Sequence, residues 1–172
     1  ERRVLTLVNH AVFGADDFVA TTTNLSANFQ VLMPGETAPS HRHPMNALRF
    51  VVEGEGAVTT VDDKPCPMAE GDMVLTPAWC WHAHANPGAK RVIWLDVLDA
   101  PLVRHLDVVA FERERKVPPP RLPADSAFAA AGFLPAEAPA GRHSPMFRYA
   151  WPEAERALAA ATPDADGARR LR

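Results

Sequence analysis

Turn residues cut every apolar run in the first 110 residues, and this punctuation constrains the fold class more than any other feature. Val4-Leu5-Thr6-Leu7-Val8 is the first β-prone run. Leu25 to Met33 follows and stops at Pro34-Gly35. Leu48 to Val52 runs into Gly54-Glu55-Gly56, a turn signal that predicts Ala57 to Val61 as a hairpin partner. Met73 to Thr76 sits between Gly71-Asp72 and Pro77, and Val92 to Leu98 closes at Asp99-Ala100-Pro101. No helical period of useful length interrupts this series. Many short strands bounded by Gly, Pro and Asp predict an all-β sandwich or barrel.

The grammar changes near residue 111. Phe111 to Lys116 is charged, and Pro118-Pro119-Pro120 fits neither a central strand nor a helix interior. Nine of the 17 prolines fall between Pro118 and Pro163. Trp151-Pro152-Glu153 predicts a helix running to about Ala161, with Pro near its first position and an acidic first turn. We therefore expect a barrel over 1–110 and a Pro-rich, partly helical tail over 111–172. That tail reads either as a plain linker or as a bridge to a further domain. In the second case Phe147, Tyr149 and Trp151 should pack on a neighbouring subunit or form an exposed interface patch.

Composition narrows the function classes. With a net charge of -3, the chain is no general binder of nucleic acid or of membrane surfaces. No apolar run approaches the roughly 20 residues of a membrane helix. Cys66 and Cys80 are too few for a disulfide framework, which fits a reducing, cytoplasmic setting.

Four of the seven histidines form two His-x-His pairs, His41/His43 and His82/His84. Residues two apart in a strand share a face, so each pair presents imidazoles together, and two such strands can build a site with several nitrogen ligands. Neutral imidazole suits Zn, Cu, Fe and Ni alike. His10, His105 and His143 have no motif around them and read as structural or surface residues.

The spacing Gly35, five residues, His41, one residue, His43, then Gly54 resembles the first motif of the cupin superfamily. Gly71, five residues, Pro77, then His82 and Asn86 resembles the second. Trp79 stands where that pattern usually has Gly, and Ala47 stands where it usually has a Glu ligand. The remaining set is His41, His43 and His82. A decayed metal site is one reading of the missing Glu, and a family that uses three His by design is the other. Pro34 to His43, Ala47 to Gly56, Trp79 to Asn86, Val92 to Asp96 and Ser144 to Tyr149 together resemble the gentisate 1,2-dioxygenases and their salicylate and 1-hydroxy-2-naphthoate relatives. Pro44-Met45-Asn46 departs from that family, which often carries a more polar stretch there.

This resemblance implies a cupin fold, a double-stranded β-helix or jelly-roll barrel, as the N-terminal half of a bicupin. It implies Fe(II) on His41, His43 and His82, an aromatic hydroxy-acid substrate, O2 as co-substrate, and a homo-oligomer, tetrameric as the full-length bicupin. The ring would open between the carboxylate-bearing and hydroxyl-bearing carbons. Three neutral ligands leave the metal its full charge, which favours an anionic chelate. If the strand from His41 continued unbroken, residues 41, 43, 45, 47 and 49 would share a face. Arg49 would then point inward to take the substrate carboxylate; the alternatives are a salt bridge to Glu53 or Glu55, or an outward side chain. His84 is a candidate substrate contact or proton shuttle, or a satisfied barrel histidine. Asp96 needs a partner in its apolar strand, either His84 or a substrate hydroxyl, and Gln30 resembles a pocket residue of the family. Trp79, Trp81 and Trp94 are candidate walls for an aromatic ligand or plain core. The rival functions are a non-catalytic cupin and a Zn, Mn or Ni cupin with isomerase chemistry.

Overall fold

The structure, a computed structural model, describes residues 3–11, 20–114, 122 and 146–170. His143, Ser144, Pro145 and the Pro118–Pro120 run lie outside the described residues. Among the described residues ten strands and two helices follow one another: β1 (Arg3–Leu7), β2 (Ser26–Leu32), β3 (Thr37–His41), β4 (Ala47–Glu53), β5 (Glu55–Val61), β6 (Lys64–Ala69), β7 (Met73–Thr76), β8 (His82–Ala85), β9 (Val92–Leu98), α1 (Ala100–His105), β10 (Arg148–Tyr149) and α2 (Trp151–Ala160). They form two antiparallel sheets, ordered β1-β2-β9-β4-β7-β10 and β3-β8-β5-β6. The two sheets face each other as the all-β barrel that the turn pattern predicts.

Alternation along the strands divides the interior into layers. Leu32 of β2, Val51 of β4 and Trp94 of β9 are fully buried and join Ala57, Val61 and Met68 from the opposite sheet in one apolar core. Two residues further along the same strands, the inward positions turn polar: Gln30, Arg49 and Asp96, with Thr76 of β7. Because side chains two apart share a face and rise together by about 6.6 Å, the polar layer sits one step above the core. The site is built there.

Three features differ from the sequence expectation. β4 and β5 are not a hairpin. β4 pairs with β7 and β9, whereas β5 pairs with β6 and β8 in the other sheet. Gly54 and Gly56 make this change of sheet, with φ of +91° and +97°. A Cβ at Gly54 would stand 2.3 Å from the Arg91 carbonyl oxygen, so only glycine passes there. β6 escaped notice because Pro65 and Pro67 disguise it. As an edge strand it spares those two positions the need to donate. Helix α1 was also unexpected; it is short, opens with Pro101 and buries only Pro101 and Val103.

The tail aromatics correct a further expectation. Phe147 is fully buried in the barrel's own core, not at an interface. β10 adds Arg148 and Tyr149 to the edge of the six-stranded sheet through β7. Asp72, itself buried, then ties down the start of α2. Its Oδ2 accepts from the Arg148 guanidinium at 2.8 Å and its Oδ1 accepts from the Trp151 N–H at 2.8 Å. Trp151 packs over Gly71, where a Cβ would lie 2.7 Å from the indole. We predict that Phe147→Ala lowers the unfolding free energy by about 3–5 kcal/mol, read by urea denaturation. A loss below about 1 kcal/mol would mean that this segment is not part of the barrel.

Candidate metal centre

His41 ends β3, His82 begins β8, and the two are register partners. His43 comes from the turn after β3 instead of from a strand. The ligand-type atoms of the three all lie within 4.8 Å of one another. Each ring is oriented by a backbone carbonyl that accepts from its Nδ1–H: Pro39 for His41 at 2.9 Å, Met45 for His43 at 3.1 Å and Cys80 for His82 at 3.0 Å. A carbonyl only accepts, so these contacts place the proton on Nδ1 and leave Nε2 with its lone pair for a metal. Nε2 of His82 is buried and has no hydrogen-bond partner among the described residues, an arrangement that costs free energy unless a metal or a donor in the cavity meets the lone pair.

The electrostatics keep His43 and His82 neutral. Burial, followed by the charges of His41 and Arg49, pushes His43 down to about 4. Burial and then the Arg49 charge push His82 down to about 2. Both are therefore free bases at neutral pH, the form that ligates. Three imidazoles without a carboxylate, preset by second-sphere carbonyls, fit a divalent transition metal.

Across the cavity stands the polar layer. Arg49 and Asp96 are register partners on β4 and β9, with Arg49 Nε 3.1 Å from Asp96 Oδ1 and both side chains at most 3% exposed. Arg49 also donates to the Thr76 hydroxyl, and Gln30 Nε2 donates to Asp96 Oδ2. A carboxylate only accepts, so Gln30 must turn its amide nitrogen to Asp96. Its Oε1 is left buried without a hydrogen-bond partner among the described residues. The trio, Arg49, Asp96 and Gln30 all line one cavity of about 690 Å³, ample for a single aromatic ring.

The expected residues thus converge, but by other routes. Arg49 points inward because Ala47, Arg49 and Val51 alternate on β4. The unbroken strand from His41 does not exist, since β3 and β4 belong to different sheets. Glu53 and Glu55 pair on the surface with Arg91 and Lys90. The partners of Asp96 are Arg49 and Gln30, not His84. His84 sits one layer below the trio, 6.0 Å from the His82 ring and 2.8 Å from the Thr59 hydroxyl, and does not line the cavity. Neither does any tryptophan: Trp94 is core, while Trp79 and Trp81 flank Arg42 on the outer side. His10 and His105 are exposed, as expected. Burial raises the Cys80 thiol, and Cys80 lies outside the ligand-type group of His41, His43 and His82.

Sequence reasoning missed Phe111 and Arg113, which also line the cavity. Phe111 stacks on the His41 ring with centroids 5.0 Å apart and planes inclined by 15°. The only available signal was the alternation Phe111-Glu112-Arg113 in a stretch that otherwise reads as charged linker.

Two facing sheets with a histidine trio at the mouth of the barrel define a cupin, and the cupin domain family matches residues 28–98. More particularly, the chain is a relative of the gentisate 1,2-dioxygenases. It is 43% identical over 169 residues to the gentisate 1,2-dioxygenase of a Ralstonia species, covering 95% of this chain and 46% of that one. Identity to gentisate 1,2 dioxygenase 1 of Aquipseudomonas alcaligenes is 50% over 107 residues, covering 62% and 30%. The crystal structure of a salicylate 1,2-dioxygenase from Pseudaminobacter salicylatoxidans superposes with a TM-score of 0.81 at 37% identity, covering 92% of this chain and 45% of that one. The chain spans about half the length of these full-length relatives or less. No described helix is long and apolar enough to cross a membrane.

We predict one divalent ion per chain, measured by elemental analysis after anaerobic loading with Fe(II) or Zn(II). His82→Ala should abolish tight binding, while Asn46→Ala, on the outer turn, should keep it. Retention of stoichiometric metal by His82→Ala would refute the site.

Proposed function

We propose that the chain is the metal-bearing half of an Fe(II)-dependent dioxygenase that opens the ring of gentisate or a related 2-hydroxybenzoate-type acid. The observation that carries this reading is the pairing of an all-imidazole trio with a buried Arg-Asp-Gln layer in one ring-sized cavity. Fe(II) held by His41, His43 and His82 would supply chelation of the acid and activation of O2.

The remaining roles fall to this chain's own side chains. Arg49 takes the carboxylate or phenolate of the incoming acid as an ion pair shared with Asp96. A guanidinium has five donors, so it can serve both. Asp96 holds that guanidinium in plane. It also offsets a charge that would otherwise sit unpaired beside the metal in a low dielectric. Gln30 offers Oε1 as acceptor for a ring hydroxyl. His84, held by Thr59, supports the His82 ring from beneath and acts as a positioning residue. Relatives named for gentisate and salicylate support the substrate class; O2, cytoplasmic location and homo-oligomeric assembly belong to the same proposal. So does a passage of the chain toward a second barrel, although the boundary expected at residue 110 is too early, since Phe147 and β10 belong to this barrel.

The direct test is anaerobic Fe(II) loading, then a panel of aromatic hydroxy-acids with calorimetric binding and oxygen uptake read together. Binding of gentisate or salicylate to the iron form, and oxygen uptake with at least one ring acid, is the expected result. Iron-loaded protein that binds no acid in the panel would contradict it.

Arg49→Lys separates charge from geometry. Lys keeps the positive charge beside Asp96 but loses the planar fork. We expect iron content unchanged and affinity for the acid weakened by about tenfold or more, about 1.4 kcal/mol. Arg49→Ala would also leave Asp96 buried and unpaired, costing about 3–5 kcal/mol of stability, so Lys is the cleaner variant. Unchanged affinity in Arg49→Lys would remove the anchor role.

A further inference from the structure

Arg42 lies between two metal-ligand positions yet turns away from them. His41 and His43 face the cavity, and Arg42 projects to the outer side. There its guanidinium lies 4.7 Å from the Trp79 ring centroid and 5.0 Å from that of Trp81. The same guanidinium binds Glu112, with Nη2 2.7 Å and Nε 2.9 Å from Oε2. The backbones are joined as well: the Arg42 N–H donates to the Glu112 carbonyl at 2.9 Å, and the Glu112 N–H returns the bond at 3.1 Å. Two short extended segments are thus laced side by side at the mouth of the barrel.

Alternation then decides what the second segment presents. With Glu112 outward on Arg42, its neighbours Phe111 and Arg113 face the cavity. Phe111 lies over His41 and 6.2 Å from the His43 ring, and the Arg113 guanidinium sits 5.3 Å from the Phe111 ring centroid. Arg113 thus brings a guanidinium to the cavity lining.

Trp79 supplies an independent observation. Its φ is +68°, in the left-handed region that glycine occupies freely and tryptophan rarely does. Its N–H is fixed by the His43 carbonyl at 2.8 Å. A strained conformation persists where the surroundings over-determine it, and such positions cluster at ligand clamps. Here the ring gained by placing Trp at a glycine-like position is the one that stacks on Arg42.

We propose that Arg42, Trp79, Trp81 and Glu112 form a clamp that holds Phe111 and Arg113 over the imidazole trio and so makes the cavity mouth selective for flat aromatic acids. The inference rests on the ring-acid reading above and adds to it the determinant of ligand shape. Phe111 offers a face for a ring to stack on, and Arg113 favours an anion at the entrance. The four clamp residues act through these two and are positioning residues.

Trp79→Gly and Glu112→Gln test this in the Fe(II)-loaded protein under anaerobic conditions. Glycine keeps the left-handed backbone without strain, so the fold should survive the loss of the indole. Three quantities are read: hydrogen exchange of the 111–113 amides, iron content, and calorimetric affinity for salicylate and for lactate, an aliphatic 2-hydroxy acid. We expect faster exchange at 111–113, unchanged iron, salicylate affinity weaker by about tenfold and lactate affinity within about twofold. If salicylate binding persists unchanged in a variant whose 111–113 amides have become exchange-labile, the clamp is only structural and the inference falls. Equal weakening for both acids would also overturn it, since the mouth would not be reading shape. If the wild-type iron protein binds no salicylate or gentisate, the ring-acid reading itself fails and takes this inference with it.

Discussion

The ion pair between Arg49 and Asp96 is the interaction on which the site's architecture depends. A lone guanidinium in this nearly dry layer would be costly, as would a lone carboxylate. Placed opposite each other on adjacent strands, with Thr76 and Gln30 as further partners, they become a polar floor above an apolar core. That floor faces three imidazoles, and burial keeps His43 and His82 among them unprotonated. The guanidinium and carboxylate cancel each other, so a divalent cation on the imidazoles would keep its charge for an anionic ligand to offset.

Ala47 shows the same logic from the ligand side. It opens β4 facing inward and is buried, at the position where the cupin pattern usually carries Glu. A metal with neutral ligands keeps its full charge for an anionic chelate. Three carbonyls orient the three rings, the preset arrangement that a working metal site requires. Under the function proposed above, the charge that the protein withholds from the metal is the charge that a hydroxy-acid would bring.

Much of the barrel was legible because turn residues and β-prone runs are local signals. The strands at 26–32, 47–53, 73–76 and 92–98 fall within a residue or two of the expected runs. What failed was pairing. Gly54-Glu55-Gly56 looks like a hairpin turn, and only the close approach of Arg91 reveals a crossing between sheets. The metal trio was legible from spacing, but the geometry behind it was not. His82 and His84 do share a face, yet two residues of strand rise put His84 a layer below, on Thr59. His43 reaches the trio from a turn that no periodicity describes. Phe147 and Phe111 were hidden for a related reason: both lie in segments whose composition reads as linker, and only tertiary contact gives one a place in the core and the other a place over His41.

The central claim is that three neutral histidines hold one metal with positions left open for a bidentate hydroxy-acid. X-ray absorption on the Fe(II)-loaded protein tests it most directly. The account predicts three imidazole nitrogens in the first shell near the roughly 2.0–2.2 Å of first-row divalent metals, with light-atom solvent ligands completing it. Addition of gentisate or salicylate without oxygen should replace solvent by two oxygen donors and leave the three nitrogens in place. A fourth protein ligand, or a shell that does not change when the acid is added at saturating concentration, would contradict the account.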